Sequence, residues 1–284
     1  MDADLLHTPA TVPLLFIFGA VVGSFLNVCI CRMPFGESVV STPSHCPFCN
    51  TRLRVPDLFP LFSLIWLRAR CRYCKQPVSW RYFVVELITG ILFVLTGLNA
   101  DSLLQLGANV VLVSSLIAIL YIDLDHYIIP DELSLTPAAV GLGVDLYRLT
   151  FLHTLPPQIP VPWFGGGIQV PVPGSVLGLV VGSGVLLFVG WVGAKMFHKE
   201  SMGGGDVKLA GTVGTYFGLS WHLLTFFLVS IILGAAVGIT LIALKRKSGR
   251  DYMPFGPMLV VGAIVVLLWG DVVTPMVVNM YSIN

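Results

Sequence analysis

Apolar residues along this chain run in long stretches parted by short polar joints. A stretch of roughly 20 mainly apolar residues is what an α-helix needs to cross a hydrocarbon layer about 30 Å thick. Eight stretches approach that length, at roughly 11–31, 82–99, 102–122, 132–152, 175–197, 207–220, 222–244 and 256–278. The sixth is the weakest, because it is short and Gly211, Gly214 and Gly218 interrupt it. The one long polar stretch is residues 32–81. The pattern therefore predicts an all-α polytopic membrane protein with about eight transmembrane helices. Residues 1–31 form the first helix, 32–81 a loop domain, and 82–284 a seven-helix membrane domain. Small residues four apart at Gly19 and Gly23, Gly178 and Gly182, and Gly234 and Gly238 predict close helix packing in lipid.

Composition agrees with this picture. Hydrophobic residues make up 56% of the chain and charged residues only 11%, against roughly 25% charged in an ordinary soluble domain. That excludes a conventional soluble globule, and the apolar content excludes disorder. The net charge of +1 leaves no basic excess for nucleic acid. The acidic start, Met1-Asp-Ala-Asp, lacks the basic residues of a secretory signal and no small-residue cleavage site follows, so the first helix is expected to be retained.

Charge distribution says more than net charge. The 32–81 loop carries Arg32, Arg52, Arg54, Arg68, Arg70, Arg72, Lys75 and Arg81 against Glu37 and Asp57, which by the positive-inside rule makes it cytoplasmic. Eight alternating spans then place the N-terminus outside. Lys195, Lys199 and Lys208, and the cluster Lys245, Arg246, Lys247 and Arg250, fall on the same side as the loop. Fifteen of the sixteen basic residues are thus cytoplasmic, Arg148 being the exception. Dropping the weak sixth span would turn the Lys245–Arg250 cluster outward. The uncharged segment Leu155–Gly174, rich in Pro and Gly, reads as an external loop.

Two C-x-x-C pairs, Cys46-Pro-Phe-Cys49 and Cys71-Arg-Tyr-Cys74, are separated by 21 residues. Each pair can grip one tetrahedral ion, and four thiolates make a closed structural zinc site. A reducing cytoplasmic location argues against disulfides. A loop of this size buries little core, so bound Zn2+ would supply folding energy. Cys29 and Cys31, at the inner end of the first span, read as packing residues.

Charged groups at the edge of a membrane span are costly and usually functional. Asp123, Asp125 and Asp131 crowd the junction between the third and fourth spans, in Tyr121-Ile-Asp-Leu-Asp-His-Tyr-Ile-Ile-Pro-Asp131. Asp206 follows the fifth span, in Met202-Gly-Gly-Gly-Asp-Val-Lys208. Two carboxyls from separate helices, brought together, cannot easily both ionise; one keeps a proton and the other can activate water. Asp123 and Asp125 lie about 200° apart on a helix, so only one can face a given partner, and Asp123 is nearer the membrane. The three glycines before Asp206 would let backbone approach beside the carboxylate. The alternative is that these aspartates cap helices or solvate loop ends, as Asp131 after Pro130 does well. Ser183, in Gly182-Ser-Gly184, has no histidine in a partner position and reads as structural.

Together these motifs resemble those of the type IV prepilin peptidases, nearly end to end. Gly23-Ser-Phe-Leu-Asn-Val28 with Cys31-Arg-Met-Pro34 is similar to the family's N-terminal signature. The cysteine pairs, continuing into Arg81-Tyr-Phe-Val-Val-Glu-Leu87, resemble its cytoplasmic loop. Asp123 to Asp131 resembles the first aspartate motif, Gly203-Gly-Gly-Asp206 the G-x-G-D motif, and Pro254-Phe-Gly-Pro257 the opening of the last span. The resemblance implies that Asp123 and Asp206 are the catalytic pair of a membrane aspartyl protease in the bacterial inner membrane. It implies as substrates type IV prepilins or type II secretion pseudopilins, whose basic leader is cut at the cytoplasmic face. It also implies methylation of the new N-terminus from S-adenosylmethionine, although the chain carries no glycine-rich nucleotide fingerprint. Glu86, at membrane depth, is either part of a methyl-transfer site or a partner of Arg81. Competing readings are an ion- or proton-coupled transporter, a presenilin-like protease, and an inactive scaffold recruiting partners through its zinc loop. Transporters usually hold such carboxylates near the bilayer midplane, whereas these lie at its edge.

Overall fold

A computed structural model describes residues 6, 8–152, 158–161, 166–169, 172–197, 202–244 and 254–281. Eight long helices lie at the eight predicted positions: α1 Thr11–Arg32, α2 Arg81–Leu98, α3 Leu103–His126, α4 Asp131–Phe151, α5 Gly174–Phe197, α6 Gly204–Phe217, α7 Trp221–Ala243 and α8 Gly256–Tyr281. Six of them, all but α4 and α6, are long and apolar enough to cross a membrane. α4 carries Asp131, Glu132, Asp145 and Arg148. α6 has only 14 residues, about 21 Å at 1.5 Å per residue. Lys199 and the Lys245–Arg250 cluster lie outside the described residues. Part of the expected external loop is regular: Gln158–Val161 pairs antiparallel with Gly166–Gln169.

The chain divides into two compact units, Met1–Ile122 and Asp123–Asn284. In the first, α1 and α2 pack backbone to backbone along the Gly19 and Gly23 stripe. A methyl group added at Gly19 would sit 2.8 Å from the Gly90 Cα, and one at Gly23 would sit 2.7 Å from the Glu86 Cα. Val85 and Phe93 are sealed in this seam. Since lipid is as apolar as a side chain, such close approach, and not hydrophobic burial, holds the pair together.

At the end of α1, buried Arg32 donates to the carbonyls of Ser38 at 3.2 Å, Thr42 at 2.7 Å and Pro43 at 3.2 Å, pinning the start of the polar loop. Farther along, the Leu61 N–H donates to Glu86 Oε2 at 2.7 Å, tying the loop to α2. The Ser24 hydroxyl bonds to the same carboxylate. Arg81, a candidate partner for Glu86, instead lays its guanidinium over the Tyr121 ring, 4.7 Å from its centre, and donates to the Tyr121 carbonyl at 3.3 Å.

In the second unit α6 is the central element. Leu209, Ala210, Gly211, Thr212, Val213, Gly214 and Thr215 are all buried. The α5 backbone at Gly178 and Gly182 meets the α6 backbone at Gly214, Ala210 and Gly211, and Ser183 packs on Gly211. On another face the Thr212 hydroxyl donates to the Ser134 carbonyl of α4 at 2.9 Å, close to the turn that Pro137 leaves a donor short. α6 therefore needs little lipid-facing surface, which is why its apolar run is the weakest of the eight. Gly234 of α7 lies over the Phe255 ring.

Candidate active site and candidate metal centre

The four cysteines form one cluster, their sulfurs all within 4.8 Å of one another. Two matched hairpins build it. In the first, the Cys46 N–H donates to the Thr51 carbonyl and the Asn50 N–H to the Cys46 carbonyl; in the second, Cys71 donates to Gln76 and Lys75 to Cys71. Leu53 to Ser44 and Val78 to Ala69 close the two hairpins in the same way, so every bond recurs 25 residues later. Asn50 and Lys75, each one residue past the second cysteine, take the left-handed conformation at φ +52° and +62°. That turn aims the backbone N–H groups of each hairpin at its own sulfurs.

The electrostatics fit a cation at the centre. The Thr51 hydroxyl and N–H hold the Cys49 thiol down to about 6. The Cys74 and Tyr73 N–H groups lower Cys71 despite its burial. The Gln76 N–H draws Cys74 down, but burial and the crowded sulfurs of Cys71, Cys49 and Cys46 outweigh it and push that thiol up to about 11. Four sulfurs this close, with such mutual repulsion, are a donor set that fits a closed structural metal site. Asp57 braces the second hairpin: its side chain, 3% exposed, accepts from Arg72 at 2.5 Å, from the Arg54 N–H at 3.0 Å and from the Tyr73 hydroxyl at 3.1 Å. Burial opposes ionisation there, but these donors together hold the Asp57 carboxyl below its ordinary range.

Asp123 and Asp206 come together in the second unit. α3 extends a turn beyond its expected end, which places Asp123 inside the helix and buries it, while Asp125, two residues on, is exposed. α3 stops at Tyr127, whose φ of +57° reverses the chain and whose N–H donates to the Asp123 carbonyl at 3.0 Å. Asp206 is buried in the first turn of α6, its N–H bonded to the Gly203 carbonyl at 3.2 Å. The Asp206 charge acts directly on Asp123.

Ile129 marks how near the two ends are. A methyl group at Gly205, beside Asp206, would lie 2.9 Å from the Ile129 Cβ. One at Gly256, at the start of α8, would lie 3.3 Å from the Ile129 Cδ1 and would strike Asp123 Oδ2. Of the glycines before Asp206, Gly205 makes the close approach, whereas Gly204 faces open space. Asp123 Oδ2 is fully buried without a hydrogen-bond partner, an arrangement that costs free energy unless the group has a use. Asp131 opens α4 and pairs with Lys208 of α6 at 2.6 Å, joining the two elements beside the carboxylates. Gly256 and Ile129 were not singled out as site residues on sequence grounds; the Pro254-Phe-Gly-Pro257 motif was the signal for Gly256, and an isoleucine in an apolar chain gives none.

Comparison with known proteins extends over nearly the whole chain. Residues 17–100 match the bacterial peptidase A24 N-terminal domain, and residues 110–239 match the type IV leader peptidase family. A prepilin leader peptidase/N-methyltransferase of Aeromonas hydrophila is 34% identical, covering 92% of this chain and 91% of its own length. A protein of that name from Pseudomonas putida is 32% identical, with coverages of 90% and 89%. One from Bacillus subtilis is 29% identical, with 94% and 98%. No solved structure matches significantly. With identity above 30% sustained across nine-tenths of both partners, the chain belongs to the type IV leader peptidase family.

Proposed function

We propose that this multi-pass membrane protein cleaves the leader peptide of type IV prepilins or type II secretion pseudopilins, with Asp123 and Asp206 as its catalytic pair. The observation that carries the assignment is the burial of two carboxylates from different helices around Ile129 and Gly256, one with an orphaned oxygen. Asp206 lies at the positive end of α6, where a negative charge is favoured, and Asp123 in the last turn of α3, at its negative end. Asp206 is accordingly the base that draws a proton from water, and Asp123 the acid that hydrogen-bonds the scissile carbonyl oxygen as water attacks. The Asp123 proton then passes to the leaving amine.

The same enzyme methylates the newly exposed N-terminal amine, with S-adenosylmethionine as donor. The four cysteines hold one structural Zn2+ that organises residues 32–81 as a small domain on the cytoplasmic side. That domain and the aspartates face the cytoplasm of a cell whose inner membrane holds residues 1–31 and 82–284. The relatives named above give no support to the transporter reading, and the cysteine cluster argues for the prepilin branch over presenilin-like proteases.

Mass spectrometry of a prepilin incubated with purified enzyme and methyl donor tests this reading. Wild-type enzyme should yield a product shortened by the leader and heavier by one methyl group. Intact prepilin from folded wild-type enzyme would refute it.

A further inference from the structure

Where α1 and α2 meet the polar loop, the first unit encloses a cavity of about 570 Å3, within the roughly 300–1,000 Å3 range of small-molecule sites. The cleavage chemistry, which lies in the second unit, does not use it. Asn27, Cys31, Tyr82 and Glu86 form the helix side of its wall, while Phe48, Leu53 and Leu64 supply apolar surface from the loop. Both walls are fixed in place. The Asn27 amide donates to the Tyr82 carbonyl at 3.1 Å, Arg32 pins residues 38–43, and Leu61 is tied to Glu86.

Glu86 is the informative group. Its carboxylate is buried, faces this cavity, and accepts hydrogen bonds from two neutral donors, the Leu61 N–H and the Ser24 hydroxyl. Among the described residues no cation pairs with it, Arg81 being turned to Tyr121. A buried carboxylate without a counter-charge is costly. A ligand carrying a permanent positive charge removes that cost, and one carrying a flat apolar ring fits the Phe48, Leu53 and Leu64 wall. Arg70, exposed at the rim, can meet a carboxylate tail.

We propose that this cavity is the methyl-donor site, taking a sulfonium nucleoside of the S-adenosylmethionine class with Glu86 as the counter-charge to the sulfonium. The proposal rests on the methyltransferase reading above and adds a location to it. In the transfer, the neutral N-terminal amine of the cleaved substrate attacks the methyl carbon. The C–N bond forms as the C–S bond breaks, sulfur leaves with the electron pair as a neutral thioether, and the ammonium formed releases its proton to water.

Two probes separate the charge from the nucleoside: S-adenosylhomocysteine, a neutral thioether, and sinefungin, which carries an ammonium near the position of the sulfonium. Titration calorimetry on the detergent-solubilised full chain should show sinefungin binding at least fivefold more tightly, with the preference lost in Glu86→Gln. In wild-type protein, saturating sinefungin should slow alkylation of the exposed Cys31 thiol at least fivefold by peptide mass spectrometry. If Glu86→Gln does not fold, the Cys31 measurement decides alone. An unchanged preference in folded Glu86→Gln, or an unprotected Cys31 in protein shown to bind the probe, overturns the location. Failure of wild-type protein to bind either probe overturns the donor reading itself, while leader cleavage by the same preparation remains a separate result.

Discussion

The cysteine cluster and the carboxylate pair are assembled in opposite ways. Each cysteine hairpin closes within ten residues through its own backbone hydrogen bonds, so the ligand set is written locally and copied once. The carboxylates come from the last turn of one helix and the first turn of another, and what brings them together is Ile129, Gly205 and Gly256, residues with no chemistry of their own. A four-sulfur cluster of this kind should tolerate changes around it as long as the four sulfurs remain. A carboxylate pair depends on the spacing of helices and is sensitive to single methyl groups.

That contrast can be broken in several ways. The largest effect should come from Asp123→Asn or Asp206→Asn, each lowering the leader-cleavage rate by roughly a hundredfold or more with metal content unchanged; cleavage by either variant at the wild-type rate would dissolve the pair. Gly256→Val should come next, because the new side chain strikes Asp123 Oδ2. Displacing a reacting group by an ångström can cost on the order of a hundredfold, so a kcat fall of tenfold to a hundredfold is expected, with little change in KM. For the other site, Cys46→Ser together with Cys71→Ser should reduce bound zinc from about one per chain to none by elemental analysis. The polar loop should then become open to proteolysis while Asp123 and Asp206 still cleave.

Asp57→Asn should act more gently. The depressed Asp57 carboxyl adds stability above its unfolded-state pKa, near 3.9, and loses it as pH falls through the lower folded value. Wild-type and Asp57→Asn loops should therefore differ in protease resistance at pH 6, and the difference should shrink as pH falls below about 4; a difference that stays undiminished in strong acid would mean the brace is not electrostatic. The smallest effect belongs to Lys208→Met. Its ion pair with Asp131 is exposed on both sides, and such pairs contribute roughly 0–1 kcal/mol, so cleavage should fall less than about fivefold.

The helices were legible because a lipid-facing helix has to be apolar along its length, and all eight lie within a few residues of expectation. α3 extends past Ile122 because Asp123 is shielded by protein, so hydropathy marked the end of the lipid rather than the end of the helix. The cysteine ligands were legible from spacing alone, although their 25-residue structural repeat was not, since the hairpins share little beyond the cysteines. Asp123 and Asp206 could be nominated for their cost at the membrane edge, but their meeting could not be read from sequence. Glu86 shows the same limit: its nearest sequence cation, Arg81, points elsewhere, and one of its hydrogen bonds comes from a loop residue 25 positions away.

The bare backbone seam between Gly178 and Gly214 bears on how firmly each carboxylate is held. With no side chain between Gly178 and Gly214, the two backbones touch there directly, and any added side chain would force α5 and α6 apart. Asp206 lies in the first turn of α6. Asp123 lies in the last turn of α3, which ends where Tyr127 takes the left-handed conformation. The two carboxylates are therefore held differently: Asp206 stands on a helix locked backbone to backbone against its neighbour, Asp123 on the last turn of a helix that ends in a reversed chain.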